Sequence, residues 1–281
     1  ITKGGNPHFI KDKPYKIIGD AAEIDLKGSW KYKVGLDMNE VTPYAERLKN
    51  RNNVGSGLYN GMIYPIRNYQ VRGTIWYQGE SNAGNTSRYA ELVSSLITNW
   101  RELWNMPEMP FLLMQLPNFM QKHDKPTDSG WARIREAQLQ AFKTIPNTAL
   151  AVTYDVGEWN DIHPLNKKDM AKRLFLGARK VVYGEKLVYA GPVYKDMKVE
   201  GNKIIITFTE TGRGLMAKGG ILKHFAIAGE DRQFVWADAV IRGNKVIVSS
   251  NDVKQPVAVR YAWSDNPEDA NLCNKEGLLA S

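Results

Sequence analysis

The fold is decided by residues 73–82, GTIWYQGESN. The apolar half of this stretch belongs to a β-strand predicted over Val71–Tyr77, which stops at hydrogen-bonding side chains placed around a glycine. Ligands of open α/β sheets bind at the carboxyl ends of the strands. The polar residues that follow this strand are therefore the first candidates for a functional site.

A second polar stretch, NDIHP at residues 160–164, carries a histidine in a setting suited to chemistry. Asp161 lies two residues before His163, and Pro164 fixes the local backbone. A histidine with a nearby carboxylate is the general-base half of an ester-cleaving apparatus. The nucleophile that would complete this apparatus is not evident in the chain.

Alternating strands and helices around these stretches predict a parallel sheet covered by helices. Apolar residues recur with helical period in three segments, Arg88–Trp104, Trp131–Phe142 and Lys167–Val182. Continuous apolar runs predict two more buried strands, Phe111–Leu116 and Ala149–Tyr154. The loop-rich first sixty residues add possible short strands at Ile24–Leu26 and around Trp30–Val34.

The pattern changes after about Ala190, where short strands separated by Gly/Asn turns predict an antiparallel β-rich unit. The strands are predicted at Lys203–Phe208, Phe225–Ala228, Gln233–Ile241, Val246–Ser249 and Val257–Trp263. EGNK at 200–203 and RGNK at 242–245 are typical of hairpin connections. We therefore expect two domains, an α/β core over residues 1–189 and a β-rich unit over residues 190–281.

Composition narrows the function classes. With 43% hydrophobic and 24% charged residues, the 281-residue chain is an ordinary globular one, and no apolar run approaches the roughly 18 residues of a membrane span. The net charge of +8 is spread along the chain without a nucleic-acid motif, although such a field would also suit an acidic sugar. The spacing of histidines, cysteines and carboxylates predicts no metal site, and no glycine-rich loop suggests a phosphate-bearing cofactor.

The first residue and the cysteine count bear on processing and on the redox compartment. The sequence starts at Ile1 without a methionine, so we expect either a processed chain or a piece of a longer one. The single cysteine, Cys273, excludes an internal disulfide and leaves the redox compartment undecided.

Several polar residues have alternative interpretations. Gln78 and Asn82 could donate hydrogen bonds to an oxyanion, and Glu80 could orient another residue, or all three could be simple loop residues. Arg135 lies on an amphipathic helix, where it could form a surface charge pair with Glu136 or approach the site against Glu80.

Four segments together resemble the sialate O-acetylesterase group of SGNH/GDSL-type hydrolases. They are LYNGMI at 58–63, IWYQGESN at 75–82, REAQ at 135–138 and NDIHPLNK at 160–167. The tail segments FAIAGED at 225–231, VRYAW at 259–263 and residues 271–278 look like the C-terminal part of the same family. The resemblance covers nearly the whole chain from about Ala22 onward.

The resemblance implies a flavodoxin-like three-layer α/β/α hydrolase core and acyl transfer through a serine. By position, the base falls on His163, and an oxyanion donor falls on Gln78 or Asn82. The glycine donor of another block falls on Gly61, with Asn60 beside it as a further candidate for binding the substrate. No cofactor is implied.

Two departures from the family pattern affect the catalytic set. Ser56, in VGSG at 54–57, lacks a preceding apolar strand, and Ser81 lies in the wrong block, so we expect the nucleophile upstream of Ile1 or on a separate N-terminal fragment. The wider superfamily favours D-x-x-H, which places Asn160 at the acid position. The group that orients His163 is therefore Asp161, Glu80 or a backbone carbonyl.

The sequence thus predicts the larger, C-terminal part of a carbohydrate O-acetylesterase that acts on O-acetylated sialic acids. An acetylxylan-type polysaccharide esterase and a non-catalytic carbohydrate-binding module are the alternatives. The expected partner is an O-acetylated sugar, with no nucleic acid and no membrane span. The resemblance suggests a periplasmic or secreted location.

Overall fold

A computed structural model of the chain describes residues 15–19, 22–26, 29 and 55–281. The chain divides into two compact units, residues 1–60 and 61–281. In the first unit, β1 (Lys16–Ile18) and β2 (Glu23–Asp25) form an antiparallel hairpin, so the strand predicted near Ile24 is confirmed. The strand predicted around Trp30–Val34 lies outside the described residues.

A three-stranded parallel sheet organises the first part of the second unit. Its order is β3 (Thr74–Trp76), β4 (Phe111–Met114) and β5 (Thr148–Ala151). The helices α1 (Tyr89–Leu103), α2 (Gly130–Thr144) and α3 (Lys167–Val181) follow the strands in turn. The predicted alternation of strands and helices is therefore confirmed.

Side chains on the two sides of the sheet belong to different core clusters because successive strand residues point to opposite faces. Phe111, Leu113 and Leu150 pack with residues of α1 and α2. Leu112 and Met114 pack instead with residues of α3.

The prediction of a buried strand over Val71–Tyr77 was wrong in extent and in burial. The strand has only three residues, Thr74–Trp76, and Ile75 is 64% exposed. Within the described part of the chain, β3 pairs with β4 alone and is an edge strand. An apolar run identifies a strand, but burial depends on neighbours that the run does not specify.

Side-chain caps fix where two of the helices begin. The Ser129 hydroxyl accepts a hydrogen bond from the backbone N–H of Ala132 at 2.9 Å, at the start of α2. The Asn166 side chain accepts one from the N–H of Asp169 at 3.2 Å, at the start of α3. The NDIHPLNK stretch therefore ends in a helix cap, which anchors its C-terminal side.

The remaining strands form antiparallel sheets. The four-stranded sheet has the order β11-β12-β7-β6, a three-stranded sheet has the order β10-β9-β13, and β14 pairs with β8. Their bounds are β6 Val193–Glu200, β7 Lys203–Thr209, β8 Leu215–Ala217, β9 Phe225–Ala228, β10 Val235–Trp236, β11 Asp238–Arg242, β12 Lys245–Ser249, β13 Ala258–Tyr261 and β14 Leu272–Asn274.

The antiparallel character of the tail is confirmed, with one correction in detail. The single strand predicted over Gln233–Ile241 is two strands, β10 and β11, which belong to different sheets. Both predicted hairpins form, with Gly201 at φ 60° and Gly243 at φ 59° in the left-handed region. The predicted boundary at 189/190 lies inside the second unit and stays a prediction.

Across the described residues, no helix has both the length and the apolar character that a membrane crossing requires. Cys273 is buried and unpaired.

Candidate active site

The two polar stretches of the sequence follow two strands of the same parallel sheet. Residues 78–82 come directly after β3, and residues 160–164 lie in the loop between β5 and α3. Carboxyl ends of parallel strands share one edge of a sheet, so both loops lie at that edge. The Lys167 Nζ is 5.1 Å from the centroid of the Tyr77 ring and links the two loops.

Gln78 and Asn82 contact each other directly. The Gln78 Nε2 donates to the Asn82 Oδ1 at 2.8 Å, across the short 3₁₀ turn Glu80–Asn82. The Tyr89 hydroxyl lies 2.6 Å from the Gln78 carbonyl oxygen and 3.2 Å from its Oε1. Among the described residues, the Asn82 Nδ2 has no hydrogen-bond acceptor, so it remains available as a donor to a ligand.

A buried glutamine that the sequence analysis did not select holds the Gln78 loop in place. The Gln138 Nε2 donates to the Gln78 carbonyl at 3.0 Å, and its Oε1 accepts from the Leu116 N–H at 2.9 Å. Gln138 is only 3% exposed. One side chain of α2 therefore ties together the loops that follow β3 and β4. The sequence signal that could have identified Gln138 is its place as a polar residue on the apolar face of the helix.

Close packing explains the glycine in this loop. A Cβ on Gly79 would lie 2.8 Å from the Ile134 Cγ2 and 3.3 Å from the Gln138 Nε2. The loop thus passes directly over α2, and any larger residue would push it away.

Glu80 lies close to Tyr77 rather than to an identified basic partner. Burial raises the pKa of Tyr77 to about 12, with a smaller contribution from the Glu80 charge. In the described part of the chain, Glu80 makes no ion pair with His163. Its role as the orienting acid stays a prediction.

His163 is strongly exposed and has one carboxylate neighbour. Its side chain is 88% accessible, and its Nδ1 lies 3.7 Å from the Asp161 Oδ1. The same oxygen accepts the backbone N–H of His163 at 2.8 Å, which fixes the carboxylate locally. Of the acids considered for orienting His163, Asp161 is the one that this geometry favours.

Two further residues that the sequence analysis did not select, Asn118 and Glu158, hold in place the loop that carries His163. The Asn118 Oδ1 accepts the Gly157 N–H at 2.7 Å, and the Asn118 Nδ2 donates to the Asn266 Oδ1 at 3.0 Å. The Glu158 carboxylate accepts the Leu165 N–H at 3.1 Å. A Cβ on Gly157 would lie 2.1 Å from the Asn118 carbonyl oxygen, so the approach needs glycine. The contacts of Asn118 join distant segments and leave no local pattern in the sequence.

The surface charge pair between Arg135 and Glu136 was a wrong prediction, because Arg135 is buried, and its approach to Glu80 stays a prediction. The residue is 4% exposed, and its guanidinium donates to the carbonyl oxygens of Ala262, at 3.0 Å, and Ser264. Burial lowers the pKa of Arg135 to about 10. The helix is amphipathic as predicted, but Arg135 lies on its buried side, against the tail. Its role in substrate binding stays untested.

The candidates at the start of the described region are exposed. Asn60 belongs to the first unit and Gly61 to the second, both in a π-helical turn over Tyr59–Ile63. A Cβ on Gly61 would meet no atom within 4 Å. Ser56 has φ 61° and is exposed, as is Ser81. The oxyanion role of Gly61 and the substrate-binding role of Asn60 stay predictions.

The arrangement combines an imidazole beside a carboxylate with amide donors at one edge of a sheet. An imidazole in this setting can accept and return a proton, and amides can stabilise a developing oxyanion. Within the described residues, no group of three or more His, Cys, Asp and Glu side chains could hold a metal ion.

Comparison with known proteins agrees with this chemistry. Residues 42–173 match the model of a family described as carbohydrate esterase, sialic acid-specific acetylesterase. The sialate O-acetylesterase of Mus musculus is 33% identical over 241 residues, which cover 78% of this chain and 44% of that protein. The human sialate O-acetylesterase is 33% identical over 243 residues, which cover 78% of this chain and 46% of that protein.

A solved structure supports the same relationship. The crystal structure of a carbohydrate acetylesterase from Xanthomonas citri aligns with a TM-score of 0.76 and 45% identity, over 80% of this chain and 52% of that one. The chain spans about half the length of the curated relatives it matches. The resemblance recognised in the sequence is confirmed, and residues 42–173 belong to the sialic acid-specific acetylesterase family of carbohydrate esterases.

Proposed function

We propose that this chain carries the base and the amide donors of a serine carbohydrate O-acetylesterase. The observation that supports this most directly is the Asp161–His163 pair, with 3.7 Å between Oδ1 and Nδ1, at the same sheet edge as the hydrogen-bonded Gln78 and Asn82. The family match adds the reaction class, since the relatives are described as acetylesterases.

In the proposed reaction, His163 takes the proton of a serine hydroxyl as the serine oxygen attacks the acetyl carbonyl. Gln78, Asn82 and backbone N–H groups stabilise the oxyanion, each donor contributing on the order of 3 kcal/mol. His163 then gives the proton to the departing sugar hydroxyl. It next activates water, which releases acetate and restores the serine.

The serine belongs, in this proposal, to a strand outside the described residues. Ile75 is aligned in the sheet with Leu112 and Ala149, which are 6% and 3% exposed, while Ile75 itself is 64% exposed. The sheet face is therefore covered over β4 and β5 and bare at β3. A further parallel strand beside Thr74–Trp76 would end next to Gln78, where an attacking serine is required.

The same strand would complete the flavodoxin-like three-layer core that we propose for the SGNH-type hydrolase. The two separate core clusters, one with α1 and α2 and the other with α3, support helices on both sides of the sheet. We also retain the boundary at 189/190 as the point where parallel strands give way to antiparallel ones.

For the substrate we propose O-acetylated sialic acids, because the curated relatives are sialate O-acetylesterases and the net charge of +8 suits an acidic sugar. A polysaccharide such as acetylxylan is the second candidate. The Xanthomonas citri relative, described more broadly as a carbohydrate acetylesterase, has 45% identity against 33% for the sialate-specific ones.

The test is acetate release from O-acetylated sialic acid and from acetylxylan by the intact protein, with His163→Ala compared with His123→Ala. His123 is a matched control because it too lies near a carboxylate, with 3.8 Å between its Nε2 and the Asp265 Oδ2. We expect His163→Ala to lose activity by roughly 1,000-fold or more and His123→Ala to keep it.

Labelling with a fluorophosphonate locates the serine. We expect one adduct, outside residues 1–281. An adduct on Ser56 or Ser81 would contradict the proposed nucleophile. Absence of both adduct and acetate release, or full activity of His163→Ala, would contradict the esterase mechanism and favour a carbohydrate-binding module.

A further inference from the structure

A cavity of about 370 Å³ lies between α2 and the antiparallel sheets. Its walls come from the second half of α2, from β6 and β7, and from β9 and β13. Lys143, which lines it, lies shortly before β5 begins and so near the amino ends of the parallel strands. None of the candidate site residues Gln78, Asn82, Asp161 and His163 lines the cavity, so the cavity is a separate feature.

The cavity exists because the edge strand β6 extends beyond the elements that cover its neighbour. Tyr194 and Met197 are aligned with Phe208 and Ile206 of β7, on the face that forms the core. The two β7 residues are 8% and 3% exposed, whereas Tyr194 and Met197 are each 39% exposed. The apolar face therefore continues onto β6 and becomes one wall of the cavity.

Charged groups at the cavity are mostly basic. Lys143, Arg232 and Arg260 line it, against one acidic side chain of the lining, that of Glu136, and the charge of Asp128 also acts on Arg260. None of these three cations forms an ion pair with a carboxylate in the described part of the chain. The Arg260 guanidinium instead lies 3.9 Å from the centroid of the Phe234 ring and 4.9 Å from that of Trp263.

An unused hydrogen-bond donor adds to this polarity. The Nε1 of Trp263, a residue that lines the cavity, is buried and has no acceptor among the described residues. Buried donors without partners are costly, so this N–H is an unmet hydrogen-bonding group next to the cavity.

We propose that this cavity binds an amphipathic monoanion, namely a carboxylate or sulfonate on an aromatic or short aliphatic body. The volume falls in the range of ordinary small-molecule sites, which runs from roughly 300 to 1,000 Å³. The apolar walls receive the body, and the cations that line the cavity, Arg260 among them, receive the anionic group. A sugar, with hydroxyls all around its ring, would leave many of them unsatisfied against Ile206, Phe208 and Phe225.

The probe is 8-anilinonaphthalene-1-sulfonate, titrated by fluorescence into the intact protein. The matched neutral probe is N-phenyl-1-naphthylamine, which has the same ring system without the sulfonate. We expect saturable 1:1 binding of the sulfonate and binding about tenfold weaker for the neutral probe, because the cations then contribute nothing.

Two pairs of variants test the location. Met197→Trp fills the cavity from the edge strand, and Val199→Trp is its control, two residues along the same face but outside the lining. Arg260→Gln removes a cation, and Lys198→Gln removes one that does not line the cavity. We expect Met197→Trp and Arg260→Gln each to weaken sulfonate binding about tenfold, and the controls to leave it unchanged.

Several results would overturn the proposal. They are the absence of saturable binding, equal effects of Met197→Trp and Val199→Trp, and equal affinity for the two probes. Displacement of the sulfonate by N-acetylneuraminic acid at similar concentration would assign the cavity to acidic sugars instead. Near-ultraviolet circular dichroism of each variant separates lost binding from lost structure, because the sulfonate also binds loosened proteins.

Discussion

At the scale of single residues, the candidate site depends on how His163 is oriented. The His163 Nδ1 lies 3.7 Å from the Asp161 Oδ1, whereas the Glu80 charge acts on the Tyr77 hydroxyl. A carboxylate hydrogen-bonded to Nδ1 would hold the imidazole in the productive tautomer and stabilise the imidazolium that forms, and we propose that Asp161 closes to that distance during the reaction. Neutralising Asp161 and neutralising Glu80 should therefore affect the reaction rate differently.

We expect Asp161→Asn to lower kcat by roughly 100- to 10,000-fold, with Glu80→Gln much closer to the parent protein. The measurement is kcat and KM for acetate release by the intact protein. If Glu80→Gln proved the more damaging change, the orienting acid would be Glu80. Similar small effects of both would favour a backbone carbonyl.

Gln138 supports a prediction about stability as well as rate. Gln138→Leu leaves the Leu116 N–H without its acceptor, and we expect this unpaired group to cost about 1–3 kcal/mol, while the Gln78 carbonyl keeps the Tyr89 hydroxyl as its donor. The control is Gln140→Leu on the same helix, which removes only a contact with Glu136.

Thermal unfolding and acetate-release kinetics check this prediction. We expect Gln138→Leu to lower both Tm and kcat with little change in KM, because the Gln78 loop is released from α2. A loss of Tm with unchanged kcat would show that Gln138 is structural only.

The sequence offered candidate residues where a strand end or a histidine marks them, and few elsewhere. Gln78, Asn82 and His163 stand in polar loops after apolar strands, which is a local pattern. Gln138 and Asn118 contribute through contacts between distant segments, and their own neighbourhoods look like ordinary helix and loop. Arg135 was misplaced because helical periodicity alone does not show that a cation faces inward.

At the scale of elements, the edge strand β3 is less covered than its neighbours in the parallel sheet of the described structure. Ile75 is 64% exposed although its aligned neighbours are buried. The sequence predicted each strand and helix of the parallel layer from apolar periodicity. It could not distinguish an edge strand from a central one, because both present the same short apolar run.

A substitution at Ile75 tests whether another strand covers β3 in the intact protein. We expect Ile75→Thr to change the free energy of unfolding of residues 1–281 alone by less than about 0.5 kcal/mol, since the side chain is exposed there. In the intact protein the same change should cost about 2 kcal/mol, because an isoleucine is then buried.

Val240→Thr is the control for this comparison. Val240 is also a strand residue and is 47% exposed, in the antiparallel sheet. We expect a small effect in both proteins, measured by denaturant unfolding. Equal small effects of Ile75→Thr in both would contradict a covering strand.

At the scale of the whole second unit, buried hydrogen bonds join the parallel layer to the antiparallel tail. The Tyr154 hydroxyl donates to the Ala280 carbonyl at 2.8 Å, and Arg135 donates to carbonyls of the tail. The Gln115 Nε2 donates to the Ser281 hydroxyl at 2.7 Å. Composition and strand pattern predicted where the tail begins, but they carry no information about these cross-connections.

We therefore expect residues 61–281 to unfold in a single cooperative transition, although the strand type changes near residue 190. Calorimetry, tryptophan fluorescence and far-ultraviolet circular dichroism should report the same midpoint. Two separated transitions would show instead that the tail is an independent domain.

Through Asn118, the tail can influence how the candidate site diverges among relatives. The Asn118 side chain connects Asn266 of the tail with Gly157, in the loop that carries His163. Amino-acid replacements that accumulate around Asn266 during divergence would shift His163 without altering any residue of the candidate site. Relatives could in this way acquire different acidity optima or different glycans while their reacting residues remain identical.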